Sequence, residues 1–136
     1  MLSRRMLSRE EEAAQGEEKE VRKEDQDRIN RFSRLHNREK ALQGELQTKQ
    51  KDKEDLEEIS SELELADEDD KIPYKIGDSF FSLPVSEVQE RLSASVEKIN
   101  DEVTAVEERL GRVREEMQEL KTELYGRFGS SINLEA

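Results

Sequence analysis

The 136 residues contain no cysteine and no tryptophan, one histidine, two prolines and only six aromatic side chains. Without cysteine there is no disulfide and no thiolate metal site. With His36 as the lone imidazole, a zinc site or a His-dependent catalytic constellation has too few parts, and no nucleophile–base pair replaces it, so neither an enzyme nor a cofactor is expected. The apolar share is 32%, thin for a globular core, and the length allows one domain without a large cleft. No run approaches the roughly 20 apolar residues of a membrane span. Cations are also short: 23 Lys and Arg face 35 Asp and Glu, for a net charge of −12. No basic block is long enough to hold a phosphate backbone, so neither nucleic acid nor membrane is an expected partner. The opening Met1-Leu2-Ser3-Arg4-Arg5-Met6-Leu7-Ser8-Arg9 has some look of a transit peptide, but Glu10-Glu11-Glu12 follows and such peptides are poor in acid. A soluble cytoplasmic protein is the expectation.

What the chain does have is charge and helix formers. Charged residues are 43% of the total, and Ala, Glu, Lys, Leu and Arg together exceed half, a composition typical of long helices and coiled coils. Residues 1–24 carry many charges and few apolar groups, which predicts a disordered tail. From about Glu24 no proline occurs until Pro73, and Glu24, Asp25 and Asp27 place negative charge where a helix dipole favours it. Leu35, Leu42, Leu56 and Leu63 share one heptad position, with Lys49 between them. Phe32 and Leu46 share the other, interrupted by Glu39 and Lys53, and Ile59 falls out of phase. The seam is worn but heptad in period. A second stretch is cleaner: Val96, Ile99, Val103, Val106, Leu110, Val113, Met117, Leu120 and Leu124 step by three and four without a miss. Ser86-Glu87-Val88-Gln89 reads as a capping box at its start, and Gly126 and Gly129 sit where it should end. Gly44 and Gly111 fall at one level of the two helices, either as a bend or as tolerated exposed flanks.

Between the helices the composition changes. Asp67-Glu68-Asp69-Asp70 reads as the stop of the first helix. Residues 71–84 then hold three of the six aromatics and both prolines. Gly77-Asp78 suits a type II′ hairpin turn with glycine first. That turn sets Ile72 against Leu83, Tyr74 against Phe81 and Ile76 against Ser79, which gathers five apolar side chains on one face. Phe80 lies on the other face with Pro73, Lys75 and Ser82. The expected fold is mainly α: an antiparallel two-helix coiled coil, each helix roughly 60 Å long, with one β-hairpin between the helices. An isolated two-stranded hairpin is marginal in water and has open edges. Ile72, Tyr74, Ile76, Phe80, Phe81 and Leu83 are therefore expected to assemble with hairpins of other subunits, the alternative being a hairpin folded onto its own helices.

Helix, hairpin, helix at this length resembles the beta-type subunits of the prefoldin family. The local wording is similar too: Glu24-Asp25-Gln26 before Ile29-Asn30-Arg31-Phe32, then Ala66-Asp67-Glu68-Asp69-Asp70, and Ile72-Pro73-Tyr74-Lys75-Ile76-Gly77-Asp78. Leu124-Tyr125-Gly126-Arg127-Phe128-Gly129 with Ile132-Asn133-Leu134-Glu135 is the most specific stretch. The resemblance spans about residues 22–135 and departs at Arg22, where a capping Thr is expected. It divides the chain into a charged tail (1–24), a prefoldin-like coiled coil (25–127) with its hairpin at about 71–83, and a C-terminal tail (128–136). It implies a heterohexamer with other alpha- and beta-type prefoldin subunits, capture of unfolded clients such as actin and tubulin without ATP, and delivery to the cytosolic chaperonin. Periodicity alone reaches only a coiled-coil hairpin that oligomerises, so a structural or tethering coiled coil is the alternative. Where the helix ends frayed, Ile29, Phe32, Leu35, Leu120, Leu124, Phe128 and Ile132 would offer apolar surface to a client.

Overall fold

The computed structural model describes residues 20–67, 70–76 and 78–134, without the side chains of Ile76 and Phe80. Most of the expected N-terminal tail (1–19), Glu68 and Asp69 of the acidic run, the turn residue Gly77, and residues 135–136 lie outside it. Helix α1 runs Lys23–Leu63, strand β1 Lys71–Ile76, strand β2 Ser79–Pro84 and helix α2 Val85–Phe128, followed by a short 3-10 turn, Gly129–Ser131. The mainly α fold with one hairpin is the one the periodicity predicts.

The element ends differ in instructive ways. Helix α1 stops at Leu63, ahead of the acidic run. The amides of Leu65 and Ala66 turn back to the carbonyls of Glu62 and Leu63, at 3.2 and 3.1 Å, a tightening that satisfies terminal carbonyls. Beyond it the Asp70 amide donates to the Asp67 carbonyl at 3.0 Å. The expected capping box at Ser86 does not form. Helix α2 begins one residue earlier, and the Val85 amide donates to the Asp70 carbonyl at 3.1 Å. Gln89, instead of reaching back to its own helix start, donates from Nε2 to the Leu63 carbonyl at 3.3 Å and so caps the end of α1. Helix α2 passes through Gly126 and ends at Phe128. Gly129 then takes a φ of +57°, the left-handed conformation in which glycine ends helices without a Cβ penalty.

The chain divides into two compact units. The hairpin unit, residues 45–107, contains the paired strands with Ile72 facing Leu83, Tyr74 facing Phe81 and Ile76 facing Ser79. This is the expected register. Its core is Leu63, Val88 and Leu92, with Leu56, Ile72, Tyr74 and Leu83 packed against it. Ile59, out of phase in the heptads, is exposed. Lys49, the charged residue in the seam, meets Glu102 at 3.1 Å.

The terminal unit joins residues up to Gly44 with those from Glu108 onward. Its core is Ile29, Phe32, Leu124, Phe128, Ile132 and Leu134, flanked by Met117, Leu120 and Tyr125. Burial of each such side chain stabilises the unit by about 1.5–3 kcal/mol. Residues 128–134 are therefore no loose tail. Ile132 and Leu134 are each 2% exposed, and the Leu134 amide donates to the Tyr125 hydroxyl at 3.3 Å.

Candidate functional site

Two regions carry the residues singled out from the sequence. On the hairpin, alternation along β1 and β2 puts Ile72, Tyr74, Phe81 and Leu83 on one face. Three of these, Ile72, Tyr74 and Leu83, rest half-buried on the Leu63–Val88–Leu92 cluster, so the helices cover more of this face than the sequence suggests. The Arg91 guanidinium lies 5.8 Å from the centre of the Tyr74 ring, which holds the ring down by cation–π attraction. Phe81, directly opposite Tyr74, remains 48% exposed. Among the described residues the sheet has these two strands, so each presents one edge with no described strand beside it.

The second region is the terminal cluster. Here the ends are packed rather than frayed: Ile29, Phe32, Leu35, Leu124, Phe128 and Ile132 are all buried, and Leu120 is half-buried against them. The segment after Gly129 folds back over the seam, and its Ile132 and Leu134 close what two helices alone would leave open. Leu134, absent from the expected contact set, belongs to the same core.

Asp25 ties this unit together in a way periodicity does not reveal. It is the third residue of α1 and only 1% exposed. Its Oδ2 accepts the Arg22 amide at 3.0 Å and Arg127 Nε at 2.6 Å, while Arg28 Nη1 stands 3.7 Å from Oδ1. The bond to Arg22 is one half of a capping box. The other half needs a side-chain oxygen at the cap, which Arg22 lacks. Burial by itself would raise the Asp25 pKa, but the Arg22 amide and the Arg127 and Arg28 guanidiniums outweigh it and hold the carboxyl below its ordinary value. Arg127 also donates to the Glu20 carbonyl and lies 5.1 Å from the centre of the Phe128 ring. The first turn of α1 is thus fixed to the last turn of α2. Asp25 is one of the acids at the start of α1 and Arg127 the cation in the last turn of α2, but nothing in the spacing pairs them.

Further pairs lie across the helices: Arg28 with Glu123 at 2.8 Å, Arg31 with Glu116 at 2.8 Å and Arg114 with Glu39 at 2.9 Å. Glu116 is thus tied to α1, whereas Glu107, Glu108 and Glu115 are exposed. His36 is tucked beside the seam, with Nδ1 4.0 Å from Glu39. No group of three His, Asp or Glu that could hold a metal ion occurs among the described residues, and no helix there is long and apolar enough to cross a membrane.

Comparison with known proteins agrees with this architecture. The family described as prefoldin subunit matches residues 26–131. The chain is 42% identical over 113 residues to the probable prefoldin subunit 4 of Drosophila melanogaster, covering 83% of this chain and 82% of that protein. It is 40% identical over 124 residues to prefoldin subunit 4 of Homo sapiens, covering 90% and 92%. To prefoldin subunit 4 of Saccharomyces cerevisiae it is 38% identical over 112 residues, covering 82% and 87%. The crystal structure of the prefoldin beta subunit from Thermococcus strain KS-1 superposes with a TM-score of 0.74 at 13% identity, over 80% of this chain and 96% of that one. At that identity the match speaks for the fold.

Proposed function

The chain belongs to the prefoldin family of chaperone subunits, and on that premise we propose that it works as a beta-type subunit of a cytoplasmic heterohexamer. The complex captures unfolded or nascent chains, of which actin and tubulin are the expected type, and passes them to the cytosolic chaperonin. The work requires no ATP, no cofactor and no catalytic step. Membership of the family implies assembly with other prefoldin subunits. Assembly through the hairpin rests on one observation above all: Phe81 stays half exposed on a sheet with two strands among the described residues. An aromatic side chain beside an open strand edge favours another strand as neighbour. A tethering coiled coil has no use for such an interruption.

Client capture is assigned to the terminal unit, with Ile29, Phe32, Leu35, Leu120, Leu124, Phe128 and Ile132 as its apolar contacts. Because these groups are buried, they can serve only when the segment 129–134 lifts from the helices. Several weak sites on one hexamer would then add through effective concentration. Native mass measurement of the complex should give a hexamer of different subunits, and a homodimer would favour the tether. Hydrogen exchange at residues 120–134 should change when a denatured client binds. Unaltered exchange there, with aggregation still suppressed, would place this subunit's client contacts elsewhere.

A further inference from the structure

Thirteen arginines occur in the chain, and five of them line one groove of the terminal unit, Arg31, Arg34 and Arg38 from α1 and Arg109 and Arg112 from α2. Spacings of three and four residues put each set on one helix face. The groove encloses roughly 460 Å3, and Leu35, Leu42 and Val113 supply its apolar lining. One acid stands there, Glu116, and it is already taken: Arg31 donates to it through Nε at 3.2 Å and Nη2 at 2.8 Å.

The other four guanidiniums are a different case. Arg28, Arg114 and Arg127 each meet a carboxylate across the helices. Among the described residues, no ion pair or hydrogen bond engages the exposed side chains of Arg34, Arg38, Arg109 or Arg112. The chain has a net charge of −12 and acids outnumber bases, yet none of these four meets a carboxylate among the described residues. Instead four like charges are gathered around an apolar strip.

We infer that this groove docks an acidic peptide segment of a partner polypeptide. Its carboxylates would lie on Arg34, Arg38, Arg109 and Arg112, and one apolar side chain would rest on half-buried Val113, above the buried Leu35 and Leu42. The planar guanidinium fork takes a carboxylate in two parallel hydrogen bonds, which gives geometry as well as charge. From Arg31 to Leu42 the groove is about 17 Å long by helix rise. A short acidic segment fits that length. A long polyanion such as RNA would run on along a chain whose net charge is −12. The groove needs no opening of the terminal cluster, so this inference stands apart from client capture there.

Fluorescence anisotropy tests it, on the full chain alone and assembled with the other prefoldin subunits. The probe is a labelled helix-forming peptide of Glu and Leu, about twelve residues long so that its helix matches the groove. It should bind with an affinity that falls as salt rises. The combined substitution Arg34→Gln, Arg38→Gln, Arg109→Gln and Arg112→Gln should weaken binding at least about tenfold, with circular dichroism and assembly unchanged. Should that variant fold poorly, the pair Arg34→Gln with Arg112→Gln should still weaken binding several-fold. Equal binding by native and substituted chains overturns the inference, as does equal binding of a peptide with Gln for each Glu. If a single-stranded RNA displaces the probe more effectively than the unlabelled peptide does, the occupant is nucleic acid and the assignment fails. It fails equally if the probe binds only after residues 1–19 are removed, because the occupant is then the chain's own Glu-rich segment. Aggregation suppression, measured in parallel, reports on capture and leaves these outcomes distinct.

Discussion

Replacing Asp25 with Asn should loosen the terminal unit. Asn keeps the size and one oxygen, so it can still accept the Arg22 amide. It loses the charge that faces Arg127 at 2.6 Å and Arg28 at 3.7 Å. Arg127, whose side chain is 23% exposed, is then left part-buried with no counter-charge. Removing one partner of a fully buried pair costs about 3–5 kcal/mol. Arg127 keeps water on one side, so about 2–3 kcal/mol is expected here. Asp25→Ala also strips the acceptor from the Arg22 amide, at about 1 kcal/mol more.

The pH dependence supplies an independent check. The folded Asp25 carboxyl lies below its ordinary value of 3.8. As pH falls, the unfolded chain therefore binds this proton before the folded one does. The contribution is complete above the ordinary value and is lost as pH drops through the lower folded value. Urea melts followed by circular dichroism should show the Asn variant less stable at neutral pH. With a slope of about 1–3 kcal/mol per molar urea, the midpoint should move by about 1 M. That gap should narrow on acidification, because the native chain then loses what the variant never had. Hydrogen exchange should rise at residues 20–32 and 120–134 first. Coincident melts at neutral pH, or a gap that acid leaves untouched, would refute the reasoning.

Phe81→Asp should abolish co-purification with the other prefoldin subunits while keeping most helicity, since an unpaired charge in an apolar contact costs several kcal/mol; normal yield of the complex would count against the hairpin as the assembly surface. Gly44→Ala and Gly111→Ala should each raise stability by about 1 kcal/mol, because a Cβ at either position meets nothing within 4 Å. A lower melting temperature would show that these glycines have a structural role, and lost client capture at unchanged stability would point to a functional bend. Leu134→Ala should destabilise the terminal unit by about 2–3 kcal/mol, seen as faster exchange at residues 120–134, because this leucine is only 2% exposed.

Periodicity made the helices and the hairpin legible. The unbroken three-four spacing from Val96 to Leu124 has one structural solution, and glycine followed by aspartate fixes which strand positions meet. The register from Ile72–Leu83 to Ile76–Ser79 agrees with that reading. The helix ends were less legible because their polar groups found partners far along the chain. Ser86 had the neighbours of a capping box, yet Gln89 is claimed by the Leu63 carbonyl and the Val85 amide by Asp70. A local motif was outcompeted by contacts that exist only once the hairpin has brought α1 and α2 together.

The terminal unit shows the same limit more sharply. Its seam residues follow from periodicity, but their closure by Leu134 does not. A two-helix seam has no lid in a periodic reading, and the lid is the segment after Gly129, whose irregular backbone carries Ile132 and Leu134 into the core. The arginine groove was hidden for a different reason. A search for basic blocks along the chain finds none, because Arg31, Arg34 and Arg38 are interleaved with Phe32 and Leu35, while Arg109 and Arg112 lie more than seventy residues away among glutamates. Each helix contributes cations at turn spacing, and only their antiparallel packing in this unit makes one positive surface. Net charge is a sum over the whole chain, so it argues against a long polyanion but leaves room for a short anionic segment. If the groove binds such a segment, the terminal unit offers two distinct surfaces to a partner chain. The exposed arginines are available in the closed state, whereas the apolar cluster requires the lid to lift. Salt should weaken only the first, and Leu134→Ala should ease access to the second.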